Sequence, residues 1–179
     1  SNPRWFEPKA PAWTLDVYLE QARPVAACAV AEAGIAGTVP REGSLFDFTL
    51  RPMQAACADI ALSDGPTLAI VEDETGAGKT EAALLLAHRM CLAGKGRGLF
   101  FALPTMATAD AMFSRASNAV GHMFSNPFVT LAHGRAGLSV PFRDRVQGSR
   151  TGGPGEVTSS DWLAQSNRRA LLADVGIGT

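Results

Sequence analysis

Short aliphatic runs alternate with longer alanine- and leucine-rich stretches through most of this chain. The runs fall at residues 67–71, 99–103, 128–132 and 170–175. Each is short enough to be a buried strand, and helical patterns follow the first two at about residues 80–92 and 107–120. Strands that alternate with helices favour a parallel sheet covered by helices on both faces. We therefore predict a three-layer αβα fold with a mostly parallel sheet.

Helical patterns also precede the first aliphatic run. Proline in the first turn of a helix loses no intrahelical hydrogen bond, so we predict that Pro24 and Pro52 each open a helix. Residues 1–13 contain three prolines and two tryptophans, which predicts an extended segment. We expect residues 1–48 to form a lead-in whose helices pack on a lobe made by residues 49–179.

Composition narrows the class of protein. Hydrophobic residues make up 46% and charged residues 18% of the 179 positions, which is typical of a chain that folds around a core. The formal net charge of −1 means that nucleic acid would be bound by local groups rather than by a global basic field. The apolar runs are too short to span a membrane and the three cysteines are isolated. We expect a soluble cytoplasmic protein whose cysteines are buried in a reducing compartment.

A glycine-rich loop, "TGAGKT" at residues 75–80, lies between an aliphatic run and a helical stretch. Gly76 and Gly78 allow backbone conformations that bring successive amides close to a phosphate, and the helix that follows adds its positive end. In this context Lys79 would reach the β- and γ-phosphates, while the Thr80 hydroxyl would ligate Mg²⁺. The pattern predicts a nucleotide site with Mg²⁺, in which Lys79 and Thr80 have the catalytic roles and Thr80 is the metal ligand.

Three acids, Glu72, Asp73 and Glu74, precede this loop. The position three before Gly76 is usually glycine or alanine, and a carboxylate about 6 Å from a phosphate would cost roughly 3 kcal/mol per charge pair. We therefore expect Asp73 to point away from the nucleotide or to pair with a cation. Our hypothesis is that the acids lower nucleotide affinity or contact a partner domain. Glu81 differs, because an acid in the first helical turn favours the helix dipole.

A phosphate-binding loop alone does not separate kinases, GTPases, transporters and helicases. Gln54, 25 residues before Lys79, could read an adenine edge through its paired donor and acceptor groups. Thr105 and Thr108 follow Pro104 at the exit of the second run, where hydroxyls at a helix start could bind a nucleic acid phosphate. The alternatives are an ordinary surface glutamine and an ordinary threonine cap.

Four stretches together resemble a known family: "RPMQ", "TGAGKTEAALLLAHRM", "FFALPTMATADAMFSR" and "LLADVGIGT". They resemble the first motor lobe of the superfamily 2 helicase in the CRISPR-associated helicase-nucleases of type I systems. The resemblance covers about residues 49–179, and the third stretch is its most specific part. It implies a RecA-like lobe of an ATP-dependent translocase on single-stranded DNA, which acts in antiviral defence with an RNA-guided surveillance complex.

The resemblance also implies which residues bind ATP and DNA. The nucleotide would be bound by Gln54, Thr75, Gly76, Ala77, Gly78, Lys79, Thr80 and Glu81, with Gln54 reading the adenine. The backbone of single-stranded DNA would be bound by Pro104, Thr105, Thr108, Gly178 and Thr179.

Other parts of such enzymes are expected outside this sequence. The acidic (Walker B) box that holds Mg²⁺ would follow Thr179, ahead of a second RecA-like lobe, and an HD nuclease domain would precede the motor. We therefore expect weak binding of ATP with Mg²⁺ and no appreciable hydrolysis by this chain alone. The alternatives are a lobe of another superfamily 2 DNA translocase, of restriction or repair type, and a non-catalytic module that keeps the loop for binding only.

Overall fold

The structure is a computed structural model that describes residues 14–33, 35–148, 164 and 166–179. The extended segment predicted for residues 1–13 lies outside these ranges. Among the described helices, none combines the length and the apolar character that a bilayer crossing requires.

A sheet of three parallel strands forms the centre of the described chain. The strands are β1 (Leu99–Ala102), β2 (Val129–Ala132) and β3 (Val175–Gly178), in the order β1-β3-β2. The central strand pairs with both neighbours, so that Val175 lies opposite Leu99 on one side and Val129 on the other. Parallel neighbours require crossover connections, which helices usually supply. The prediction of a mostly parallel sheet is confirmed.

Helices cover this sheet and supply much of the core. They are α1 (Leu15–Glu32), α2 (Pro52–Asp59), α3 (Lys79–Leu92), α4 (Met106–Met123) and α5 (Val140–Gly148), with 3₁₀ helices at Ala136–Leu138 and Asn167–Leu172. Helix α4 buries Phe113, Val120 and Met123 in the same apolar cluster as Val175 and Ile177 of β3. Each such side chain contributes about 1.5–3 kcal/mol when fully buried. The arrangement is an αβα lobe of RecA-like type.

The strand predicted at residues 67–71 is wrong for this structure, in which that segment has no regular secondary structure. Leu68 and Ile70 are 87% and 76% exposed. A strand is stable when a neighbour satisfies its backbone N–H and C=O groups. Among the described residues the sheet consists of β1, β2 and β3 alone, so residues 67–71 have no strand beside them.

The strand predicted at residues 170–175 is also wrong, because β3 begins where that prediction ends. A 3₁₀ helix occupies Asn167–Leu172. Glycine is a weak strand former, so the Gly176 and Gly178 positions gave little sign of a strand. In the sheet, however, a Cβ on Gly178 would collide with the main chain of Ala132 on β2. The close approach of two strands therefore explains this glycine.

Helix α1 is mostly exposed and buries none of its residues. The prediction that Pro24 opens a helix is wrong. Pro24 lies inside this continuous helix. An interior proline removes one hydrogen bond, and the alanine-rich sequence around it favours helix nonetheless.

Cys28 on α1 is exposed, which contradicts the expectation of buried cysteines, whereas Cys91 on α3 is buried.

Residues 38–45, between α1 and α2, are attached to the lobe by several contacts. Leu45 is buried in the core. The backbone N–H of Arg41 donates to the carbonyl of Met123 at 2.8 Å. His88 Nε2 on α3 lies 2.7 Å from the Arg41 carbonyl. This segment therefore links α3 to the end of α4, and His88 is a buried structural histidine.

Candidate nucleotide-binding site

The phosphate-binding loop, residues 75–80, turns sharply before α3. Gly76 and Gly78 have φ angles of 86° and 93°, a region that glycine enters at little cost. Gly78 is the N-cap of α3, and its carbonyl accepts the backbone N–H of Ala82 at 3.0 Å. The first N–H groups of a helix have no intrahelical acceptor. The start of α3 therefore presents backbone donors and the positive end of the helix, while the Ala77 N–H donates to the Glu74 carbonyl at 3.2 Å.

The two glycines of the loop have different surroundings. A Cβ on Gly76 would meet no atom within 4 Å. A Cβ on Gly78 would overlap the side chain of Gln54. The space beside Gly76 is thus open to a ligand group such as a phosphate, while Gly78 allows Gln54 to approach the loop closely.

Lys79 closes the loop through main-chain contacts. Its Nζ donates to the carbonyls of Asp73 at 2.7 Å and of Glu74 at 2.6 Å. The Asp73 carboxylate accepts the backbone N–H of Glu74 at 2.7 Å. Phosphate oxygens could replace the two carbonyls as acceptors for the Lys79 amine. The hypothesis that the acids lower nucleotide affinity stays a prediction.

A cleft of about 620 Å³ lies beside the loop. Its walls include every predicted nucleotide-binding residue except Ala77. Four further residues also line it: Phe48, Thr49, Arg51 and Arg115. The volume falls in the range of ordinary small-ligand sites. Residues that lie far apart in the sequence therefore meet at one cleft.

Gln54 enters this site from α2 and is only 3% exposed. Its Oε1 accepts the backbone N–H of Arg51 at 3.0 Å, and its Nε2 donates to the carbonyl of Gly78 at 3.3 Å. The Arg51 guanidinium donates to the carbonyl of Gly76 at 2.9 Å. These bonds fasten the start of α2 to the phosphate-binding loop. The alternative of an ordinary surface glutamine is wrong.

Arg115 is the most distant residue that the sequence analysis missed. It projects from α4, and its guanidinium nitrogen lies 3.0 Å from Oε1 of Glu81 on α3. The side chains of Arg115 and Glu81 are 60% and 24% exposed, respectively. No local pattern identifies such a pair, because it depends on how two helices pack. Arg51 had a local signal, since it lies three residues before Gln54 at a helix start opened by proline.

The carboxyl edge of the sheet, where β1, β2 and β3 end, brings together the predicted DNA-binding residues. The backbone N–H of Leu103 donates to the carbonyl of Gly178 at 2.8 Å. The backbone N–H of Thr179 donates to the carbonyl of Ala132 at 3.2 Å. Thr105 follows two residues after Leu103, so it belongs to the same edge as Thr179.

Thr105 and Thr108 form a reciprocal cap on α4. The Thr105 hydroxyl accepts the backbone N–H of Thr108 at 3.2 Å, and the Thr108 hydroxyl accepts that of Thr105 at 3.3 Å. The structure thus contains the ordinary cap that was the alternative explanation. Both threonines and Pro104 are exposed, whereas Gly178 is buried. A role of these residues in binding DNA stays a prediction.

Comparison with known proteins gives matches over part of much longer chains. No protein-family model matches the chain. It is 35% identical over 139 residues to the CRISPR-associated endonuclease/helicase Cas3 of Escherichia coli K12. It is 36% identical over 148 residues to the protein of the same name from Thermus thermophilus. Each match covers 76% of this chain and 16% of the relative.

Comparison of the fold with solved structures also gives matches to Cas3. The crystal structure of T. fusca Cas3 with AMPPNP superposes with a TM-score of 0.70 and 28% identity, over 92% of this chain and 18% of that chain. The T. fusca Cas3-ADP structure also has a TM-score of 0.70, at 27% identity. The chain therefore spans less than a fifth of the proteins that it matches. It is a Cas3-like segment with a RecA-like fold, similar in sequence and structure to part of the CRISPR-associated helicase-nucleases.

Proposed function

We propose that this chain acts as the first motor lobe of a CRISPR-associated helicase-nuclease and binds ATP with Mg²⁺. One observation carries the proposal: a single cleft is lined by the phosphate-binding loop, by Lys79 and by Gln54 from another helix. No atom would lie within 4 Å of a Cβ on Gly76, so this side of the loop is open to a phosphate group. Similarity to Cas3 structures that contain AMPPNP or ADP supports the same ligand class.

The loop residues and Gln54 would have distinct roles. Backbone amides from Gly76 to Thr80 would hold phosphate oxygens, together with the Lys79 amine after it leaves the carbonyls of residues 73 and 74. The Thr80 hydroxyl would ligate Mg²⁺, which neutralises phosphate charge when bound. Gln54 would read adenine, and it would then exchange its bond to Arg51 or Gly78 for one to the base.

We propose further that the carboxyl edge of the sheet contacts the backbone of single-stranded DNA. Pro104, Thr105, Thr108 and Thr179 are exposed there, and hydroxyls and backbone amides are common ligands of nucleic acid phosphates. Gly178 would contribute through its backbone. The longer parent protein would translocate along DNA in the cytoplasm with a second RecA-like lobe, an HD nuclease and an RNA-guided surveillance complex.

Equilibrium titration with a fluorescent ATP analogue in the presence of Mg²⁺ tests the nucleotide site. Loss of a charged hydrogen-bond donor to phosphate costs about 1.5–3 kcal/mol, so Lys79→Ala should weaken binding at least about tenfold. Lys95→Ala is the matched control, because Lys95 lies outside the residues that line the cleft. Equal affinity of wild type and Lys79→Ala would contradict the proposal.

Wild type and Lys79→Ala also test the expectation that this chain alone does not hydrolyse ATP. Phosphate release should stay at the buffer rate, because hydrolysis in this mechanism needs an acidic box and a second lobe. Hydrolysis that Lys79→Ala abolishes would show a complete catalytic site and would contradict this expectation.

A further inference from the structure

The ion pair between Arg115 and Glu81 has no role in the function proposed so far. Glu81 lies in the first turn of α3, directly after Thr80, and Arg115 reaches it from α4. Both side chains line the cleft that contains Lys79 and Gly76. Besides Lys79 and Arg51, a site for an anion therefore has a third cation, Arg115, which in this structure is paired with an acid.

The pair is suited to exchange its partners. Exposed ion pairs contribute little to stability, and the Arg115 side chain is 60% exposed. A guanidinium can bind phosphate through two parallel hydrogen bonds. Here Arg115 has a single 3.0 Å contact with the Glu81 carboxylate. A terminal phosphate also carries between one and two negative charges at neutral pH, against one for Glu81. A phosphate in the cleft would therefore be the stronger partner for Arg115.

We propose that Arg115 binds the terminal phosphate of a nucleoside triphosphate and that Glu81 holds the guanidinium when no nucleotide is bound. The inference rests on the proposed nucleotide site. The loop amides and Lys79 come from residues 76–80, and Glu81, the partner of Arg115, directly follows Thr80 at the start of α3. Arg115 comes from a different helix and would add a contact that a shorter nucleotide does not reach. The pair would thus make the cleft selective for triphosphate over diphosphate.

Fluorescent AMPPNP and fluorescent ADP, titrated separately into the 179-residue chain with Mg²⁺, test this selectivity. Arg115→Met should weaken AMPPNP binding about tenfold and ADP binding less than about threefold, because only the triphosphate loses a charged contact. Arg115→Lys should fall between the two, since lysine keeps the charge but not the paired donors. Arg143→Met, an exposed arginine on α5 outside the cleft, is the matched control.

Glu81→Gln gives a readout that a merely structural pair would not produce. It releases Arg115, so AMPPNP affinity should rise about threefold, within the range expected for an exposed ion pair. This gain should disappear when Glu81→Gln is combined with Arg115→Met, because the two changes act through one interaction. A thermal melt of each variant verifies that the fold is intact.

The outcomes separate this inference from the proposed function. The inference is supported if Arg115→Met loses more affinity for AMPPNP than for ADP and if the gain in Glu81→Gln requires Arg115. If Arg115→Met loses equal affinity for AMPPNP and ADP, or loses none for either, the inference is wrong. The proposed nucleotide site would still be supported, provided that Lys79→Ala weakens binding. If Lys79→Ala also leaves binding unchanged, both proposals fail.

Discussion

Gly76 and Gly78 occupy the same backbone region for different reasons. Alanine at either position incurs the left-handed strain of about 1–2 kcal/mol, and at position 78 its Cβ would also overlap Gln54. Urea unfolding should therefore show a larger loss of free energy for Gly78→Ala than for Gly76→Ala. Gly76→Ala should still lose affinity for the fluorescent ATP analogue, because its Cβ fills the space proposed for a phosphate. The reverse order of stabilities would show that Gln54 does not restrict position 78.

Local sequence was sufficient to predict the placement of residues that belong to a single turn. Lys79, Thr80 and the two glycines are contiguous, so their spacing alone brings them together. Arg115 is different, because its position in the cleft follows from the packing of α4 near α3. The burial of Gln54 likewise depends on how α2 packs, and its role in binding adenine stays a prediction.

At the scale of elements, Asp174 joins three segments at the start of β3. Its carboxylate accepts the backbone N–H groups of Thr38 at 3.0 Å and of Phe128 at 2.8 Å. Asp174→Ala leaves both donors without this acceptor, which should lower the free energy of unfolding by about 1–3 kcal/mol. Urea unfolding measures the loss. A loss below the error of that measurement would show that water replaces the carboxylate without penalty.

The same variant tests the ionisation of this carboxyl. Burial raises the pKa of Asp174 above its ordinary value of 3.8, and the two backbone hydrogen bonds oppose that effect only in part. A carboxyl whose pKa is higher in the folded chain contributes stability below its unfolded pKa and loses it as pH rises through the folded value. The stability difference between wild type and Asp174→Ala should therefore narrow from about pH 4 upward. A difference that widens with pH would mean that the hydrogen bonds outweigh burial.

Strands were the elements that sequence patterns located least well. Aliphatic runs at residues 99–103 and 128–132 agree with β1 and β2, because both strands pair with β3. The run at residues 67–71 has the same composition but no neighbouring strand among the described residues. β3 contains two glycines that only the close approach of its neighbours explains. A strand therefore depends on distant partners that its own sequence does not specify.

At the scale of the whole molecule, α4 connects the two proposed sites. Its N-terminal cap, Thr105 with Thr108, lies at the carboxyl edge of the sheet, and Arg115 on the same helix lines the nucleotide cleft. The alternation of strand and helix patterns in the sequence was sufficient to predict the αβα class and hence a carboxyl edge of a parallel sheet. The position of α1 did not follow, because an alanine-rich helix has a similar pattern whether it is buried or exposed.

Binding to single-stranded DNA should depend only weakly on salt, because the residues proposed at the carboxyl edge include no lysine or arginine and the net charge is −1. Each neutralised phosphate contributes about −0.7 to the slope of log K against log salt, so the slope should be shallower than about −1. Thr105→Val should lower affinity for an oligo-dT probe severalfold without changing this slope, as measured by fluorescence anisotropy. Thr105→Ser keeps both hydroxyl and cap and should behave as wild type. A slope steeper than about −2 would place the DNA on cationic residues and not on this edge.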